Sequence, residues 1–411
     1  MLPPRRPTPA FSVRRRPPEL VAPAKRTLRE LKQLSDIDDQ QGLRFQLPVI
    51  MFYRNDSSPM IGGKDPVKVI REAVAEALVF YYPLAGRLME EPNKELTMDC
   101  TGEGVLFVEA DADVGLDELG DAVWPPCPCA EEFLCEVPGS DGIVGCPLLL
   151  IQVTRLSCGG YVVAVRLNHA VTDIPGLAKF LTATAEIARG AGAPSLLPVW
   201  QRELLNARYP PCVTRVHREY HADHQSKSTT LDPGETVHQS FFFASNHITA
   251  LRSHLPAHLR SCSAFDLLAA VLWRCRTVAL RPDRKDVVHL LCSVSVKGRT
   301  QNGVALPSGY YGNAFVNPAI ISEAGKLCSE PVGYAVELVR EGRDRVDEEY
   351  VRSTADFLVV HRPPQAAAGT AAGSFVVSDT GAAGLGEVDF GWGKPVYGGP
   401  VRAMNIWSPC V

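Results

Sequence analysis

YVVAVRLNHAVTDIPG, Tyr161 to Gly176, changes character in its middle. Tyr161 to Leu167 is dense in β-branched and aromatic residues, which suit a buried strand, and Asn168-His169 breaks the pattern into a loop. His169 therefore leaves the end of a strand. Asp173 follows four residues later, and Pro175 stands where a helix can begin, because the first turn does not use the N–H that proline lacks. From there Leu177, Phe180, Leu181, Ile187 and Ala188 recur at helical spacing, with Thr184 in the same row, until Arg189-Gly190 closes the segment. The order is strand, His loop, helix. A histidine so placed can take a proton from an alcohol at neutral pH, since its ordinary pKa is about 6.5. The plainer reading is a satisfied core histidine. On a helix, His169 and Asp173 could be paired metal ligands, but the strand before them and Pro175 after them put the pair in a loop, so no metal is expected.

Outward from this stretch, Leu148–Arg155 pairs with Tyr161–Leu167 through the hairpin turn Ser157-Cys158-Gly159-Gly160. Phe45–Tyr53 alternates as a strand. Asp65-Pro66 opens an amphipathic helix with Val67, Ile70, Val74, Ala77, Leu78 and Tyr81 on one face, ended by Pro83. Gly86–Leu88, Glu95–Asp99 and Val105–Glu109 read as short strands, and Phe11–Val21 as a strand interrupted by prolines. Ala191–His238 is rich in Pro, His, Ser and Thr with weak periodicity, as a surface crossover should be. Its His217, His221, Asp223 and His224 read as solvated side chains, because a mobile linker is a poor place for a preorganised metal site. Beyond it the sequence predicts a strand at Ser240–Ala244, a helix at His247–Leu255 and a Ser263-capped helix presenting Ala264, Leu268, Val271, Leu272 and Cys275. A strand at Val287–Val296, a helix at Pro331–Val346 and strands at Phe375–Ser378 and Glu387–Phe390 complete a mixed α/β pattern. The expected units are 1–190, a crossover at 191–238, and 239–411.

The chain of 411 residues is long for one core, and 45% hydrophobic with 21% charged residues is ordinary globular composition. A net charge of -4 supplies no field for nucleic acid or an anionic membrane. Arg5, Arg6, Arg14, Arg15 and Arg16 read as a solvated arm, since prolines and the lack of a following apolar stretch do not fit a secretory signal. No apolar run approaches the ~18 residues that span a bilayer. The 12 cysteines are scattered through apolar segments such as those around Cys146, Cys275 and Cys292, which points to reduced core thiols in the cytosol. Cys127-Pro128-Cys129 with Cys135 lacks the paired spacing of a zinc site.

Two more loops stand out. Ser308-Gly309-Tyr310-Tyr311-Gly312-Asn313 places aromatic rings between glycines, which suits close approach by another backbone or a ligand. Asp389-Phe390-Gly391-Trp392-Gly393 does the same with an acid and an indole. Together, the H-x-x-x-D loop, Y-Y-G-N and D-F-G-W-G resemble the plant BAHD acyltransferases, which move an acyl group from a coenzyme A thioester to an alcohol or amine. Tyr82-Pro83-Leu84-Ala85-Gly86-Arg87 and Val377-Ser378-Asp379 are similar to that family too, and FSVRRRPPELVAPA and LSDIDDQQGLRFQ look most like its benzyl alcohol O-benzoyltransferase branch.

The resemblance implies an α/β, two-domain fold of the chloramphenicol acetyltransferase type, with the active-site channel at the domain interface and His169 as general base. It implies acyl-CoA as co-substrate with no permanently bound cofactor or metal, and an aromatic or short acyl group, of benzoyl or acetyl type, passing to a small alcohol such as benzyl alcohol. It groups Asp173 and Asp389 with the catalytic His169, yet has Asp173 turned from the channel toward a cation of the second domain. That cation is Lys297 here, with Arg299 two residues on; lysine keeps the charge of the family's arginine and loses its planar fork. Asp389 belongs with Phe390, Gly391, Trp392 and Gly393 to a motif that the family suggests is structural, and Tyr311, Gly312 and Asn313 would lie near the coenzyme. The protein is expected to be a cytoplasmic monomer with no nucleic-acid or membrane partner. Family members continue further past D-F-G-W-G, so the second domain is expected to be truncated. The alternative is an impaired relative that only binds ligands, and a thioester hydrolase using the same histidine is a third reading.

Overall fold

The hairpin predicted around Ser157–Gly160 lies at the centre of the first half of the molecule. In this computed structural model, which describes residues 10–55, 63–220, 238–297, 304–362 and 374–402, nine strands come from that half. They are β1 Val13–Arg15, β2 Glu19–Val21, β3 Leu31–Gln33, β4 Gln46–Tyr53, β5 Arg87–Glu90, β6 Leu96–Asp99, β7 Val105–Ala112, β8 Leu149–Arg155 and β9 Tyr161–Asn168. The second half adds β10 Val287–Cys292, β11 Val294–Ser295, β12 Phe315–Val316, β13 Ala319–Glu323, β14 Ser374–Val377 and β15 Tyr397–Pro400. The main sheet runs β1-β7-β8-β9-β4-β15, with β2 also on β7. β7 and β8 are parallel, whereas β9 is antiparallel to both β8 and β4.

β9 is buried on both faces, and its period of two sorts its side chains. Tyr161, Val163, Val165 and Leu167 join the core beneath the helices Pro66–Phe80 and Ile174–Ala188, while Val162 and Ala164 face Phe52, Leu116 and Phe133. Burying each large apolar side chain contributes about 1.5–3 kcal/mol, so a one-residue slip of β9 would exchange its two faces at a cost no other register recovers. Register therefore fixes where β9 ends and the loop carrying His169 begins. Both helices covering this face start on an aspartate: Asp65 Oδ1 accepts from Val67 N at 3.2 Å, and Asp173 Oδ1 accepts from Gly176 N at 2.7 Å.

The second half has its own core. Its sheet runs β13-β10-β14, with β11 and β12 paired separately. The helices Ala264–Leu280, Val332–Asp344 and Glu348–His361 pack residues such as Trp273, Val336 and Val351 against Leu290 and Val377. Ser263 caps the first of these as expected, its Oγ accepting from Asp266 N at 3.0 Å. β15 leaves this half and pairs with β4, Tyr397 opposite Phe52 through Pro400 opposite Val49, so the last described strand lies in the first half's sheet. The architecture is α/β with two cores. Among the described residues no helix is long and apolar enough to cross a membrane.

Several local expectations change. Ser240–Ala244 forms no strand: Phe241 and Phe242 are exposed, and no neighbouring strand offers a ladder. Glu387–Phe390 is a 3-10 turn at Leu385–Glu387 followed by bends. Arg14 and Arg15 are part of β1, paired to Asp111 and Ala110, so the arginine segment is an edge strand there, not an unstructured arm, with its arginines exposed; Arg5 and Arg6 lie outside the described residues. His217 is buried, its Nδ1 3.0 Å from Glu219 Oε1 and its Nε2 2.8 Å from Ser353 Oγ, which corrects its reading as solvated. His221, Asp223 and His224 lie outside the described residues. Cys292 is buried as a core thiol, whereas Cys275 is exposed.

Candidate active site

β9 delivers the His loop by continuing its pairing one step past its last residue. His169 N donates to Phe45 O at 3.0 Å, and the Asn168 side chain accepts from Ala170 N at 3.2 Å. The imidazole lies between two aromatic rings, Phe45 of the first half at 5.0 Å and Phe315 of β12 at 6.0 Å between centroids. His169 is thus where the two halves meet. Its Nδ1 is shielded from solvent and has no hydrogen-bond partner among the described residues, while the residue as a whole keeps some surface open. Burial pushes its pKa below the ordinary histidine value, opposed by its own carbonyl, Asp173, the Asn313 amide and Asp38. That shift favours the neutral ring, the form a base requires.

Asp173 does not join the imidazole. Oδ1 caps the helix at Gly176 N and meets Lys297 Nζ at 3.4 Å, while Oδ2 accepts from Ala314 N at 3.1 Å. One carboxylate thereby ties the start of a first-half helix to two segments of the second half. Lys297 Nζ also lies 3.4 Å from Gly312 O, so the lysine bridges the seam without a bidentate fork. Arg299 lies outside the described residues. Lys179, from the same helix, donates to the carbonyls of Ser308 and Tyr310; burial and the nearby Lys297 push its pKa down to about 8.

The Y-Y-G-N loop packs under the His loop. Tyr311 is buried against Tyr81 and Trp200, and its carbonyl accepts from Thr172 Oγ1. Asn313 is fully buried, its Nδ2 donating to His169 O and to Asp38 Oδ1, both at 2.8 Å. Side chains so covered hold the loop from beneath. Gly312 leaves room for Arg202, since a Cβ there would run into the guanidinium. Arg202 is 1% exposed and pairs with Asp38 Oδ2 at 3.2 Å. Neither Asp38 nor Arg202 stood out in the sequence. The Ser35-x-x-Asp38 spacing, which the fold uses when Ser35 Oγ donates to Asp38 Oδ2 at 2.7 Å, is a local signal that could have marked Asp38; a lone arginine in a Pro- and Ser-rich crossover offered none.

D-F-G-W-G belongs to the other end of β9. Phe390 packs edge-on against Tyr53, and Trp392 against Tyr161. Those tyrosines pair at the start of β9, about 23 Å from Asn168 at ~3.3 Å per residue. Asp389 Oδ1 accepts from Gly391 N at 2.7 Å and Gly393 N at 2.9 Å. The carboxylate closes its own turn.

Against known proteins, the model described as the Transferase family matches residues 11–406. The chain belongs to this family, the BAHD acyltransferases. It is 57% identical over 392 residues to the benzyl alcohol O-benzoyltransferase of Petunia hybrida, an alignment covering 95% of this chain and 84% of that protein. Alcohol acyl transferase 2 of Malus domestica is 54% identical over 405 residues, with 97% and 87% covered. The fold is similar to that of vinorine synthase, with a TM-score of 0.68 at 22% identity over 94% of this chain and 88% of that one. It is also similar to F. graminearum TRI101 complexed with coenzyme A and deoxynivalenol, with a TM-score of 0.69 at 17% identity over 90% and 89%. This BAHD protein is an enzyme that transfers acyl groups.

Proposed function

We propose that the protein is an acyl-CoA-dependent alcohol O-acyltransferase, taking a benzoyl or similar aromatic or short acyl group to a small alcohol such as benzyl alcohol, with His169 as general base. The observation that carries the reading is the imidazole held between Phe45 and Phe315, one ring from each half. With Nδ1 shielded, Nε2 is the nitrogen left to meet an alcohol. It takes the hydroxyl proton as the alcohol oxygen attacks the thioester carbonyl; the C–S bond then breaks, and the imidazolium returns the proton to the departing thiolate. Base catalysis of this kind contributes about 10²–10⁴ in rate, and orientation of the two substrates adds to it.

Asp173, held by Lys297, orients the loop without touching substrate. In this reading the chain divides into units 1–190 and 239–411, joined by 191–238, although Phe390, Trp392 and β15 return to the first core, with the substrates meeting at the seam in a cytosolic monomer. The benzyl alcohol and alcohol acyltransferase names of the relatives support the substrate class. The test is a panel of benzoyl-CoA and acetyl-CoA against benzyl alcohol and short-chain alcohols, following ester and free thiol together. Ester formed in step with thiol supports the reading. Thiol released equally with and without alcohol would assign a hydrolase instead, and coenzyme A binding with no turnover would assign a ligand binder.

A further inference from the structure

We propose that Asp38 and Arg202 are positioning residues for this reaction, a buried ion pair outside all three motifs that sets the backbone of the His169 loop. The proposal rests on His169 acting as the base. Asp38 sits on the segment before β4, Arg202 on the crossover, and Asn313 in the second half. Their hydrogen bonds converge on two carbonyls, those of His169 and Val171.

The carboxylate of Asp38 is filled by partners. Oδ1 accepts from Asn313 N at 2.9 Å and Asn313 Nδ2 at 2.8 Å, while Oδ2 accepts from Ser35 N at 3.2 Å and from Arg202 Nη1 at the same distance. Arg202 Nη2 then donates to Val171 O at 3.0 Å, and Asn313 Nδ2 to His169 O at 2.8 Å. The two carbonyls flanking Ala170 are therefore indexed to one carboxylate. With only two soft dihedrals per residue, holding those oxygens restricts how the loop can carry the imidazole. The guanidinium lies 4.3 Å over the Trp200 ring, with Tyr310 and Tyr311 at 5.2 and 5.1 Å, so it has no room to slide.

Stability alone is a poor reason for this pair, because buried ion pairs can often be exchanged for apolar residues without loss. Its geometry supplies something an apolar cluster would not: directed bonds from three chain segments, which place the loop only when both halves are docked. A misplacement of about 1 Å in such a site costs about 10²-fold in rate. Asp38 also favours the protonated imidazole, as do Asp173, the Asn313 amide and the ring's own carbonyl, and the cations Arg202, Lys297 and Lys179 lie on the surrounding segments.

Two variants separate positioning from mere folding. Asp38→Asn combined with Arg202→Met removes both charges together, leaving neither buried alone. Asn313→Ala keeps the ion pair and cuts its link to the His169 carbonyl. With cooperative unfolding confirmed, each is expected to lower kcat by about 10- to 100-fold while KM for acyl-CoA stays within about threefold. Unchanged kcat, or a loss expressed only in KM, in a folded Asn313→Ala protein would overturn the proposal even if the double variant failed to fold. His169→Ala run in parallel keeps the two claims apart: activity surviving there removes the base itself, whereas a dead His169→Ala beside a fully active Asn313→Ala removes only the positioning role.

Discussion

A single imidazole carries the chemistry, and its surroundings set the pH at which it can act. Burial holds the His169 pKa below the ordinary value, so as pH falls the folded enzyme keeps a neutral base after an exposed histidine would have charged. The acid limb of kcat/KM is predicted to lie below about pH 6.5. The same shift has a stability sign: below the ordinary value the unfolded chain takes the proton first, so the contribution is present above about pH 6.5 and lost as pH falls toward the folded pKa. Lys297 offers a second test at this scale. Its pair with Asp173 is 18% and 8% exposed on its two sides, between surface and core, so Lys297→Met should cost about 1–2 kcal/mol in denaturant unfolding. Lys297→Arg should retain most of it. His169 and Asp173 were legible in the sequence because strand and helix periodicity bracket them. Asp38 and Arg202 were not, because their meaning lies in partners such as Asn313 and Val171 that only the folded chain brings near.

Elements explain which motifs act and which support. The helix Ile174–Ala188 begins where Asp173 caps it and Gly176 lies against the Tyr311 carbonyl, where a Cβ would collide. Gly176→Ala should push the helix start off the second half and lower both the unfolding midpoint and kcat. Asp389 should behave differently. Its turn loses two hydrogen bonds in Asp389→Ala, a cost of about 1–3 kcal/mol, but kcat per folded molecule should fall less than tenfold because the turn sits at the far end of β9. A larger loss of kcat in stably folded protein would return Asp389 to the reacting centre. Local pattern located the helices that follow Asp65, Asp173 and Ser263, capping residues standing just before apolar periodicity, but passed over Glu348–His361. It failed at Ser240–Ala244, where Phe241 and Phe242 imitate a strand but find no ladder, and at Glu387–Phe390, where glycine turns and the Asp389 carboxylate replace strand pairing.

The whole molecule closes by contacts distant in sequence: β15 crosses back to β4, Asn313 reaches Asp38, and Phe315 faces His169. Mixed α/β class was readable from alternating patterns, whereas the return of β15 was not, because Tyr397-Gly398-Gly399-Pro400 has almost no strand propensity of its own and is ordered by the edge it meets. If the seam is the substrate site, acyl-CoA should stabilise the intact protein, by about 2.7 kcal/mol at a hundred times its Kd, and His169→Ala should retain that shift. The decisive measurement is alcohol-dependent thiol release from benzoyl-CoA by wild type and by His169→Ala at matched fold and saturation. A seam histidine acting as base predicts ester formation by the wild type and a loss of about 10²–10⁴ in the variant; equal rates from the two proteins would contradict it.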